Sequence, residues 1–127
     1  MERPKKKILI IDEKGFARIC NALLESAGHR ADIHPVVGTD RSSAAPDGYD
    51  LLITSYPYGG HFLNSIHKRD MALIVLSDCI NNDLLSALDR FDNCFCMIKP
   101  LDFDKFRSLV SQVIGGQPAR NGGYQIV

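Results

Sequence analysis

The chain has 127 residues, 15 Lys+Arg against 15 Asp+Glu, 45% hydrophobic and 24% charged residues. That length fits one packed domain, and the zero formal net charge excludes the basic face of a primarily nucleic-acid-binding protein. The longest apolar run, Met71 to Leu76, is far short of the ~20 residues of a membrane span, and no N-terminal stretch has the form of a secretory signal, so a cytoplasmic protein is expected.

Met1 to Lys7 is a basic lead-in with Arg3, Lys5, Lys6 and Lys7, read as a solvated N-terminus. Ile8 to Ile11 is a short continuous apolar run, the pattern of a strand buried on both faces of a parallel sheet. Phe16, Ile19, Cys20, Leu23, Leu24 and Ala27 then recur at helical spacing, and Gly28 stands where a C-terminal cap is expected. A weaker strand follows around Arg30 to His34. Val36 to Gly48 is rich in Gly, Ser, Asp and Pro and leaves room only for a short or irregular helix.

Leu51 to Thr54 and Ala72 to Leu76 are the third and fourth strands. Gly60 to Lys68 between them accommodates about two helical turns. Asn81 or Asn82 caps a helix that turns Leu84, Leu85, Leu88 and Phe91 inward. Phe95 to Ile98 is the fifth strand. Asp102 caps the last helix, whose apolar face is Phe103, Phe106, Leu109, Val110 and Val113, and Gly115-Gly116 ends it. The reading is a domain over 1–116 and a mobile polar tail over 117–127, too short to fold as an output domain. Strands alternating with helices imply βαβ crossovers and a parallel sheet with helices on both faces.

In such sheets sites lie at the C-terminal ends of the strands. Asp12 and Glu13 follow the first strand. Ser55 ends the third, before Tyr56, Pro57 and Gly59-Gly60. Ser77 and Asp78 follow the fourth, and Lys99 and Pro100 the fifth. Singly, these residues read as caps, turns and loops. Together they bring acids, hydroxyls and one ammonium to a single end of the sheet.

These residues are where the chain resembles the receiver domain of bacterial two-component response regulators. The resemblance covers residues 5 to about 115. It rests on Ile10-Ile11-Asp12-Glu13, Tyr49-Asp50-Leu51-Leu52-Ile53-Thr54-Ser55, Val75-Leu76-Ser77 and Ile98-Lys99-Pro100. It implies a flavodoxin-like (βα)5 fold, doubly wound, with a five-stranded parallel sheet in the order 2-1-3-4-5. It also implies that Asp12 and Glu13 match the acids that hold Mg²⁺. Ser77 then matches the hydroxyl that bonds a transferred phosphoryl group, Lys99 the lysine that pairs with it, and Pro100 a proline that commonly follows a cis bond.

Ser55 departs from that pattern, because it stands where the family carries the Asp that accepts phosphate. A serine hydroxyl forms no acyl phosphate, and no base is expected beside it to activate it. Asp78 replaces a small residue, and Cys96, three residues before Lys99, replaces an aromatic that swings inward on activation. The 21 residues between Ser55 and Ser77 are fewer than usual, implying a shortened third helix or preceding loop. With one acid lost, Mg²⁺ binding at Asp12 and Glu13 is expected to be weak at most, and Lys99 is expected to pair with Asp12 or Glu13.

Cys94 and Cys96, two apart on a strand, read as packing rather than a disulfide or metal pair. All four cysteines read as reduced thiols. His29, His34, His61 and His67 lack ligand spacing. Tyr56, Tyr58 and Phe62 read as a cover over the shortened loop, with a partner surface as the alternative. The expectation is therefore a stand-alone, non-enzymatic, atypical receiver with no cofactor. It binds a histidine kinase, another regulator or a target through residues 81–114, and binds neither nucleic acid nor membrane. The alternatives are a regulator phosphorylated elsewhere, at Asp78 or Asp12, and a small flavodoxin-like cofactor-binding protein.

Overall fold

The computed structural model describes residues 7–12, 14–34, 49–56, 72–89, 91, 93–99, 102–115 and 124–127. The elements are β1 (Ile8–Ile11), α1 (Lys14–Ser26), β2 (Ala31–His34), β3 (Leu51–Tyr56), β4 (Ala72–Ser77), α2 (Asn82–Leu88), β5 (Cys94–Ile98), α3 (Phe103–Ile114) and β6 (Tyr124–Ile126). The helices expected within 36–48 and 60–68, and with them the proposed shortening, lie outside the described residues. Among the described residues no helix is long and apolar enough to cross a membrane.

All strand pairs are parallel, in the order β2-β1-β3-β4-β5-β6. The first five follow the expected 2-1-3-4-5 arrangement. The sixth corrects the reading of 117–127 as a tail that is mobile throughout. Tyr124, Gln125 and Ile126 pair with Cys94, Phe95 and Cys96, and the Val127 N–H donates to the Cys96 carbonyl at 2.8 Å.

Successive strand residues point to opposite faces, and the core divides accordingly. Ile8, Ile10, Leu51, Ile53, Ile74, Leu76, Phe95 and Met97 pack against α1 and α3. Leu9, Ile11, Leu52, Leu73, Val75, Cys94 and Cys96 pack against Leu84, Leu88 and Phe91 on the other face. Strands buried on both sides are why these segments read as unbroken apolar runs.

The caps explain where the helices stop and start. Asn81 accepts from the Leu84 N–H at 2.8 Å and opens α2; Asp102 accepts from the Lys105 N–H at 3.0 Å and opens α3. Gly28 lies at φ +87°, where its N–H donates to Glu25 O at 3.0 Å and the His29 N–H reaches Leu24 O at 2.8 Å. This pair of bonds closes α1 as a Schellman motif, which favours glycine at the left-handed position. The buried face of α1 is Ala17, Cys20 and Leu24. Ile19, expected inward, is 47% exposed, and Ala27 falls beyond the helix and is exposed. Phe103 is likewise exposed at the start of α3.

Candidate functional site at the strand ends

The register determines which site residues meet. Ile11 is opposite Thr54, so the next residues on the two strands, Asp12 and Ser55, emerge side by side at the C-terminal edge. The Ser55 hydroxyl donates to the Asp12 carboxylate, and both residues are 1% exposed. Beneath them the buried Thr54 hydroxyl donates to the Ile11 carbonyl at 2.7 Å and ties β3 to β1. Thr54 was not singled out in the sequence, where it is one more β-branched strand residue. Asp12 stands beside Ser55 and accepts its hydroxyl hydrogen bond. A carboxylate is far too weak a base to hold a serine alkoxide, so the pair is a closed hydrogen bond rather than an activated nucleophile.

The same rule places Lys99. Ser77 is opposite Ile98, and the Lys99 N–H donates to the Ser77 carbonyl at 2.8 Å. Asp78 and Lys99 therefore leave the sheet together, and the ammonium lies 3.9 Å from Asp78 Oδ1. It also stands 4.2 Å from the centroid of the Phe16 ring. Asp12 or Glu13 was the expected partner of Lys99; among the described residues the carboxylate in ion-pair range of its ammonium is that of Asp78. Asp78 comes from the strand adjacent to that of Lys99. Glu13 lies outside the described residues. The side chains of Lys99 and Asp78 are 26% and 66% exposed, so water screens the pair and its contribution is below about 1 kcal/mol. The Phe16 face adds a contribution of the same order. Phe16 was read only as part of a helix face; its one sequence signal is its place in the first turn after Asp12.

Ser77 is fully buried. Its hydroxyl donates to the Cys79 carbonyl at 2.6 Å and accepts from the Cys79 N–H at 3.3 Å, closing a local turn. Cys96 is buried among Leu84, Leu88 and Cys94 on the α2 face, and burial pushes its thiol up to about 11. Burial, then the Asp12 charge, pushes Cys20 up to about 12, with Lys99 opposing. Burial raises Cys94 as well. All four cysteines are free, and Cys79 alone among them is exposed.

Pro100, Pro57, Tyr58 and Phe62 lie outside the described residues, and Tyr56 packs in part against the α2-face core. His29 is half-buried at the end of α1. Among the described residues no three His, Cys, Asp or Glu side chains gather as metal ligands. Of the two acids that the resemblance assigns to Mg²⁺, Asp12 accepts the Ser55 hydroxyl, and Glu13 lies outside the described residues.

No protein-family model and no curated protein matches the sequence. Solved structures do. A CheY-like response regulator receiver domain protein from Methanospirillum hungatei JF-1 aligns with TM-score 0.73 and 18% identity, over 90% of this chain and 97% of its own. A signal receiver domain of two-component signal transduction (histidine kinase) from Clostridium thermocellum gives 0.67 and 16%, over 87% and 98%. An atypical orphan response regulator, whose structure is described as revealing a phosphorylation-independent regulatory mechanism, gives 0.62 and 14%, over 88% and 98%. The chain has the fold of a response regulator receiver domain.

Proposed function

We propose that this chain is a receiver-type signalling domain that works by binding another protein and not by accepting a phosphoryl group. The observation that carries the reading is the Ser55–Asp12 hydrogen bond. At the strand end where the resemblance places a phosphoacceptor, a buried serine donates a hydrogen bond to the neighbouring acid. Lys99 is drawn to Asp78 and Phe16, and the Ser77 hydroxyl is engaged in its own turn. Each group that would meet a phosphoryl group already has a partner within the fold. The fold likeness to an orphan regulator described as phosphorylation-independent agrees with this.

The protein then acts without catalysis in the cytoplasm, as a docking partner of a kinase, another regulator or a target. Its surface is residues 81–114, formed by α2, β5 and α3, with exposed Phe103 as its apolar anchor. Intact mass after incubation with acetyl phosphate and Mg²⁺ tests the reading. No phosphate adduct is expected. An adduct that vanishes in Asp78→Asn would identify the exposed Asp78 as an acceptor and overturn the reading.

A further inference from the structure

The two edges of the sheet are managed differently. β2 carries Asp32 along its edge, where a charge discourages pairing with another strand. β5 is Cys94-Phe95-Cys96-Met97-Ile98, with no charge and no proline, and left bare it would be a template for an incoming strand. The chain covers that edge with its own β6.

Three observations describe how β6 is held. It is three residues long, and the Val127 N–H adds a bond to Cys96 O. Ile126 and Val127 are each 40% exposed, so neither side chain is fully buried as those of the neighbouring strands are. The third observation is topological. The unit β1–α1–β2 moves one way along the sheet with α1 on one face; β4–α2–β5 moves the other way with α2 on the opposite face. These two share a hand. The unit β5–α3–β6 moves in the direction of β4–α2–β5, yet α3 lies on the face of α1, so its hand is opposite. Parallel crossovers are right-handed in about 98% of cases, so β6 takes the disfavoured connection. Val127 also lines one groove with Lys105, Ser108 and Gln112 of α3, so the segment reaches from β5 to the helix beside it.

We propose that Tyr124–Val127 is a displaceable built-in strand that closes the β5 edge, and that docking on the α2–β5–α3 surface competes with it. The inference rests on the docking role proposed above and adds its regulation. Because β6 belongs to the same chain, its pairing with β5 is intramolecular, so a competitor in solution succeeds only when it is abundant or when β6 is weakened.

Two measurements test this without a partner protein. In amide hydrogen exchange on the unmodified chain, residues 124–127 are expected to exchange at least tenfold faster than β3 and β4. Protection equal to that of β4 would overturn displacement. Val127→Pro removes the donor to Cys96 O at an exposed position. An NMR titration with the peptide Gly-Tyr-Gln-Ile-Val is expected to shift the Cys94–Ile98 amides of this variant at millimolar concentration, and those of the unmodified chain only at tenfold more or not at all. No shift in the variant, or equal shifts in both, would overturn the proposal. So would a concentration-dependent dimer that Val127→Pro abolishes, because the strand would then belong to a second copy. Phosphate uptake with the peptide result intact would remove the phosphorylation-independent reading and leave the strand in place.

Discussion

Ser55 and Asp12 make a pair that one extra charge would upset. Ser55→Asp would set a second carboxylate beside a 1% exposed acid. Like charges so placed repel, and burial disfavours both. The variant is expected to lose about 3 kcal/mol at pH 7. The sign of its pH dependence follows. The crowded acid is driven toward its protonated form, so folding takes up a proton, and stability falls as pH rises above ~4, the ordinary Asp value, until the folded-state acid also ionises. Urea midpoints measured from pH 3 to 8 check this; a midpoint that rises with pH across that range would contradict it. The thiols offer a second check at this scale. Cys79 is exposed, whereas burial raises Cys20, Cys94 and Cys96. A chromogenic disulfide at pH 8 is expected to titrate one thiol promptly and the other three only in denaturant.

At the scale of elements, the caps carry measurable stability. Gly28 has no atom within 4 Å of where a Cβ would sit, so the cost of Gly28→Ala comes from backbone strain at φ +87°, about 1–2 kcal/mol. Asn81→Ala removes the bond to the Leu84 N–H and is expected to cost about 1 kcal/mol. Thermal or urea unfolding of both variants checks these values. The capping residues were legible in the sequence because a cap is a local device whose chemistry sits within four residues. Ile19 was misplaced because the apolar stripe can be centred on either side of Cys20; tertiary packing chose Ala17, Cys20 and Leu24. β6 was illegible for another reason. Three residues pairing through their backbone on an edge need no apolar periodicity, and a Gly-containing polar stretch precedes them.

At the scale of the whole molecule, the alternating strands and helices expressed the doubly wound sheet, because strands buried on both faces must be continuously apolar. The order of β1 to β5 came from the resemblance rather than from periodicity. The site was legible as a set of residues at the strand ends, but its pairing was not. Pairing depends on which strands are neighbours and in which register. Ile11 opposite Thr54 joins Asp12 to Ser55, and Ser77 opposite Ile98 joins Asp78 to Lys99. The result is two polar pairs, Asp12 with Ser55 and Asp78 with Lys99.

On the function proposed above, these pairs leave no place for a phosphoryl group. The most direct test is an NMR titration of the unmodified chain with beryllofluoride and Mg²⁺, a mimic of the phosphorylated state. The amides of Asp12, Ser55, Ser77 and Lys99 are predicted to stay where they are at millimolar Mg²⁺. Saturable shifts of those amides at submillimolar Mg²⁺ would contradict the account.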